Sequence, residues 1–370
     1  MPIVIVLITA ALLYIVQERV YRRFWADNLH TQVVFTDRFI HEGQKTEIVE
    51  TLSNGKILPL PWVYVKFRVD CNQKAFQYRS DLFSIRFYQQ IRRRIPFEPD
   101  RRGIYTVHGI DLISNNLFIT SKYVKQIPDT EMMTVYPRLV GTDEFSIPFQ
   151  RMMGDIVTRR FMLEDPFLFK GIREYQPYDG MKNINYKASA RAGKWLVNMY
   201  DYTVSQKVTI LLNMDRANQY YDMRLYENSI RMAASLTAAF EQEAIPVELI
   251  SNGKDVFTGD PVRVESGCGT GHMHTLFESL ARLEITAEVE DLSPELVKAA
   301  EDLDADHMFL VISPFFGPGF VTAYERLSAV HPSTEWILPV VLSDLNDPMF
   351  HGPAVAEAHR NVFIWKVDAA

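Results

Sequence analysis

The stretch that most constrains this chain is its first: Met1–Val16 reads MPIVIVLITAALLYIV, with no charged side chain before Glu18. Such a run must bury itself, either in a protein core or in a bilayer, where a helix satisfies its own backbone polar groups. Extended through Val20, Tyr21, Phe24 and Trp25, it is slightly short for a full span and reaches across if its flanks snorkel. No basic residue precedes the run and no small-residue cleavage site comes after it, as a secretory leader would require. Arg19, Arg22 and Arg23 come directly after it, and the positive-inside rule then puts the C-terminal side of the run in the cytoplasm. The expectation is a single-pass cell-membrane anchor over residues 1–25 with a cytoplasmic soluble part. The competing reading is a buried core helix.

Composition narrows the rest. The 370 residues are 47% hydrophobic and 23% charged, an ordinary globular balance with length for two or three domains. A net charge of −7 argues against a nucleic-acid partner held by its phosphates. Two cysteines, Cys71 and Cys268, cannot make a disulfide scaffold or a four-cysteine zinc site. There is no P-loop, dinucleotide glycine motif or nucleophile elbow, so no small-molecule substrate is indicated.

The expected fold class is α+β multidomain. Over residues 26–140 short strands alternate with turns, and Trp62–Val69 places Val63, Val65, Phe67 and Val69 on one face with period two. Asn54-Gly55 signals a tight turn. A β-sandwich-like domain is expected there. The basic cluster Arg92, Arg93, Arg94, Arg101 and Arg102 has two readings, contact with anionic headgroups or a charged strand edge. Over residues 206–370 strands alternate with helices, beginning with the continuous apolar run Val208–Leu212. Helical spacing of Met223, Tyr226, Ile230, Ala233, Thr237 and Phe240 comes next, and Ser293-Pro294 reads as N-cap and first helical residue. This predicts a doubly wound α/β domain with a mainly parallel sheet.

Between them, residues 141–205 hold a dense segment: Gly171-Ile172-Arg173-Glu174-Tyr175-Gln176-Pro177-Tyr178-Asp179, then Ile184-Asn185-Tyr186-Lys187-Ala188-Ser189-Ala190-Arg191. It resembles the signature of the DUF58 family, a G-x-R-x-Y-x-P-x-D block and then I-[DN]-W-K-A-S-A-R. Tyr186 stands in place of the family's usual Trp, and Gly180 where an acidic residue is common. The resemblance implies a membrane segment, a β-rich region and a C-terminal domain similar to von Willebrand factor A domains. It also implies an unestablished activity and frequent gene proximity to MoxR-type AAA+ ATPases. From the residues themselves, Arg173, Glu174, Tyr175, Asp179, Asn185, Tyr186, Lys187, Ser189 and Arg191 are candidates for either a partner-docking surface or a structural clasp, since Arg forks pair well with carboxylates.

The von Willebrand resemblance also implies a Mg²⁺ site of pattern D-x-S-x-S, a Thr from a second loop and a later Asp. Asp215 and Thr270 remain as candidates, expected together at the carboxyl edge of the sheet, but Ala217 and Gln219 replace the serines and Ser313-Pro314 stands where the later Asp belongs. Mg²⁺ wants six oxygen ligands, so the site is read as vestigial, with no cofactor expected. Cys268, His272 and His274 lack a fourth zinc ligand. The leading expectation is a non-enzymatic membrane adaptor that binds a protein partner, the candidate being a MoxR-type ATPase. The alternative is a metal-dependent hydrolase using Asp215, Thr270 and the Cys268–His274 loop.

Overall fold

The computed structural model describes residues 2–162, 164–177, 179–202, 207–216, 222–302, 307–341, 359 and 361–367. The chain is mixed α and β, with an apolar N-terminal helix ahead of several sheets. It divides into two compact units. The first comprises Met1–Leu139 with Asp255–Gly259 and Phe277–Glu284, and the second comprises Val140–Lys254, Asp260–Leu276 and Ile285–Ala370.

In the first unit, α1 (Pro2–Phe24) is long and apolar enough to cross a membrane and carries Arg22 and Arg23 in its last turn. No residue of its apolar window is buried, which is compatible with a single-pass membrane anchor. Next come β1 (Leu29–Phe35), β2 (Phe39–His41), β3 (Thr46–Asn54), β4 (Leu60–Cys71), β5 (Lys74–Ile85), β6 (Gln89–Phe97), β7 (Gly103–Asn115) and β8 (Lys122–Tyr136). One sheet has the order β1-β3-β6 and the other β2-β8-β7-β4-β5, antiparallel except for β2 against β8. Their facing side chains form one apolar core. The period-two pattern of β4 holds: Val63, Val65, Phe67 and Val69 are all buried, each worth about 1.5–3 kcal/mol relative to exposure.

Two of these readings gain detail. Asn54-Gly55 does not close a hairpin, because β3 pairs with β1 and β6 while β4 belongs to the other sheet. The turn is a crossover, held by the Asn54 amide donating to the Leu58 and Arg86 carbonyls, each at 2.9 Å. The basic cluster is not one surface either. Arg93 pairs with Asp81 and Arg94 with Glu47, while buried Arg102 donates to the Leu280, Ala281 and Leu283 carbonyls at 2.9–3.1 Å.

The second unit contains α2 (Thr142–Met162), β9 (Glu164–Glu174), α3 (Tyr186–Ala192), β10 (Leu196–Tyr202), β11 (Lys207–Leu212), α4 (Met223–Gln242), β12 (Val247–Asp255), β13 (Pro261–Gly267) and α5 (Thr270–Arg282). After them come α6 (Ser293–Ala300), β15 (His307–Ile312), α7 (Pro318–Val330), β16 (Glu335–Val341) and β17 (Val362–Val367), while the end of α5 from Phe277 and β14 (Leu283–Glu284) fall in the first unit. The main sheet runs β13-β12-β11-β15-β16-β17, parallel except for the edge strand β13. β11 is buried along almost its whole length, as its unbroken apolar run requires. In α4, Tyr226, Ile230, Ala233, Thr237 and Phe240 are buried, whereas Met223 in the first turn is exposed. Ser293 does not cap α6; it is the first helical residue, and its hydroxyl donates to Asp291 at 2.7 Å.

Candidate functional site

The strand order of the main sheet reverses at β11, with β12 on one side and β15 on the other. Open α/β sheets bind ligands in the crevice outside the carboxyl ends of the strands at such a reversal. At that position the side chains of Asn213, Asn252 and Ser313 bond to one another. The Asn213 amide donates to Ser313 Oγ at 3.0 Å, and the Asn252 amide donates to Asn213 Oδ1 at 3.0 Å and to the Glu290 carbonyl at 2.7 Å. Asn252 Oδ1 accepts the Met214 N–H, and Asn213 Oδ1 also accepts the Asp215 N–H. Ser313 Oγ donates to the Phe315 carbonyl and accepts its N–H. All three side chains are buried and none carries a charge. Buried amides and hydroxyls that satisfy one another offer a cation no anionic ligand.

The two candidates of the vestigial metal site do not meet. Asp215 lies just past the carboxyl end of β11, half-buried, its carbonyl accepting from the Tyr226 hydroxyl at 2.7 Å. Thr270 lies at the opposite edge of the sheet. The reason is the hairpin: β13 runs antiparallel to β12, so Gly267 ends opposite Val247, at the amino end of β12. His272 marks the same edge, its Nε2–H donating to the Val247 carbonyl at 2.8 Å. Cys268, Thr270 and His274 are exposed there. Arg216 donates to the Thr286 and Ala287 carbonyls. Ala217 and Gln219 lie outside the described residues. Among the described residues, no three His, Cys, Asp or Glu side chains gather closely enough to hold a metal ion.

The signature segment builds differently. β9 and β10 form an antiparallel pair in which Arg173 faces Val197 and Glu174 faces Leu196, and α3 sits in the connection between them. Inside the segment, Asn185 caps α3 by accepting the Ala188 N–H at 2.9 Å, and its amide donates to Asn198 at 2.7 Å. Buried Ser189 donates to the Asn185 carbonyl and accepts the Leu196 N–H, stitching helix to strand. Gly193 closes the helix in the left-handed region at φ +68°, where a side chain is disfavoured. Arg173 grips Asp179 with both guanidinium nitrogens, at 2.6 and 2.5 Å. Asp179 also accepts the Gln176 N–H. The Arg173 fork holds the Asp179 carboxyl below the usual carboxylate range.

The remaining signature residues face outward or lie partly covered. Tyr186 is 64% exposed and Trp195 59%, their rings edge to face at 6.3 Å. They line a cleft of about 430 Å³ with Ser189, Ala190, Gly193 and Lys194. Lys187 and Arg191 are exposed on α3, Lys194 pairs with exposed Glu174, and half-buried Tyr175 donates its N–H to the Trp195 carbonyl. Tyr178 lies outside the described residues.

Sequence reasoning missed Asn213, Asn252, Ser313 in its bonding role, and Trp195. Asn213 had a signal, since it directly succeeds the apolar run of β11. Trp195 comes soon after a helix-ending glycine, so it had one too.

Residues 171–349 match the family model described as "Protein of unknown function DUF58". No curated protein matches the chain. Among solved structures, the VWA domain of SpRpn10 is 10% identical at a TM-score of 0.28, covering 45% of this chain and 90% of that one. The CARDB domain of a Pyrococcus furiosus protein, crystallised with di-metal ions, is 11% identical at 0.22, covering 30% and 94%. Spo0M, a sporulation control protein from Bacillus subtilis, is 10% identical at 0.20, covering 40% and 58%. Such scores are too low to bear on fold or function. The match over residues 171–349, which opens at the signature segment, supports the DUF58 family for this chain.

Proposed function

We propose that the protein is a membrane-anchored adaptor, its soluble part cytoplasmic, that docks a protein partner on the signature segment. In this reading the second unit is a von Willebrand A-like domain that has lost its metal site. The observation that carries the proposal is the pair Tyr186 and Trp195, large aromatics held exposed beside a cleft on a hairpin whose own polar groups are paired internally. Aromatics in that setting are the usual energetic centre of an interface. The exposed cations Lys187 and Arg191 suit a partner surface with acidic side chains. A MoxR-type AAA+ ATPase is the candidate.

The test is co-purification of that ATPase with the full-length protein from membranes. Wild type should retain it, and Trp195→Ala with Tyr186→Ala should release it with the melting temperature unchanged. Retention by the double variant would sink the docking surface.

A further inference from the structure

We propose that the tip of the β7–β8 hairpin, Leu117-Phe118-Ile119, is a second membrane-inserted element that enters the leaflet beside α1. The inference rests on the reading that α1 lies in a bilayer.

The C-terminal half of α1 is not free. The Tyr14 hydroxyl hydrogen-bonds Thr120 Oγ1 at 2.9 Å, Gln17 accepts the Leu117 N–H at 3.2 Å, and Glu18 accepts from the Ser121 hydroxyl at 3.1 Å. Tyr21 is buried in the core of the first unit and donates to the Pro59 carbonyl. The part of the helix beyond these contacts, Ile3–Leu13, is about 16 Å long at 1.5 Å per residue, about half of a ~30 Å hydrocarbon core. A bilayer that covers the apolar surface of α1 must therefore reach the level of Tyr14. The hairpin tip is at that level, with the Phe118 ring 5.9 Å from the Tyr14 ring.

The tip has the chemistry of a wedge. Leu117, Phe118 and Ile119 are three consecutive large apolar residues, each half-exposed or more. Ile119 holds φ +59°, a left-handed conformation unusual for a β-branched residue, in an exposed turn closed by its N–H donating to the Asn116 carbonyl at 3.1 Å. Asn116 fixes the loop from within, accepting the Thr120 N–H and donating to its hydroxyl. Strand register brings two more apolar loops to this pole: Leu29 faces Asn54 and Asn54 faces Gln89, which places Ile57, Phe87 and Tyr88 there, all exposed. Exposed Arg23, Arg86 and Lys122 stand around the same end, suited to anionic headgroups.

The test uses the full chain carrying Cys268→Ser, reconstituted in phosphatidylcholine–phosphatidylglycerol vesicles, with nitroxide labels on Phe118→Cys, Leu7→Cys or Asp100→Cys. Cys71 is half-buried, and burial raises its thiol pKa, which slows its labelling. Collisions with oxygen against a water-soluble nickel chelate report depth. The expected result is that labels at 7 and 118 favour oxygen several-fold, while the label at 100, at the opposite pole, favours nickel. A lipid signal at 7 with a water signal at 118 would overturn the wedge alone. A water signal at both would overturn the wedge together with the anchor reading.

Discussion

The second unit contains two polar centres that use hydrogen bonds to opposite ends. At the strand reversal, where this class of sheet ordinarily receives a ligand, buried Asn213, Asn252 and Ser313 bond to one another. In the signature segment, Arg173 pairs with Asp179, and Asn185 and Ser189 bond each other and β10, yet Tyr186 and Trp195 are left facing solvent. Counting polar residues does not separate the two. What separates them is that the first network is uncharged and buried at the strand ends, whereas the second braces a hairpin that carries exposed aromatics.

The largest expected effect comes from putting charge into the buried centre. Asn213→Asp would bury a carboxylate that has lost its amide donor to Ser313, and should destabilise the protein by about 3 kcal/mol or more in urea unfolding. Recovery of that loss on adding Mg²⁺ would show that the crevice can still assemble a cation site, erasing the contrast. Trp195→Ala should weaken partner capture by about 2 kcal/mol, some thirtyfold in Kd, as interface aromatics do; titration of purified partner reads it. The same substitution should leave the melting temperature where it was.

Legibility divides along the same line. The periodicity of β4 and α4 was readable because burial on one face leaves a pattern in neighbouring residues. The density of pairable groups in the signature segment was readable too, but not which would turn inward. That choice depends on β10, which supplies Asn198 and the Leu196 N–H to Asn185 and Ser189.

A smaller effect tests the brace. Ser189→Ala removes a buried hydroxyl that serves the Leu196 N–H and the Asn185 carbonyl, and should cost about 1–2 kcal/mol by thermal unfolding. Partner capture should fall with it, unlike in the Asn213 variant at temperatures where both are folded. Acid provides a further separation. Asp179 has a depressed folded pKa, so its contribution is present above the unfolded value, about 3.9, and is lost as pH falls through the folded one. The melting temperatures of wild type and Asp179→Asn should therefore differ at neutral pH and converge in strong acid. The neutral crevice has no such group among its three side chains. Smallest of all, Asp215→Ala and EDTA should leave partner capture unchanged; loss in both would return Asp215 to the site.

The sequence by itself determined the elements whose cause is local: the apolar helix α1, the alternation of β4, the buried run of β11 and the residues of the signature segment. The tertiary structure decided the encounters. Thr270 was expected at the same edge as Asp215, but the antiparallel hairpin of β12 and β13 returns the chain to the amino end of the sheet. Asn54-Gly55 announced a turn without naming the strand beyond it, and the next strand joined the other sheet. Leu117-Phe118-Ile119 became notable only when folding set them beside Tyr14. Periodicity is a property of neighbours along the chain, whereas strand direction, sheet choice and loop placement come from pairings between residues far apart in it.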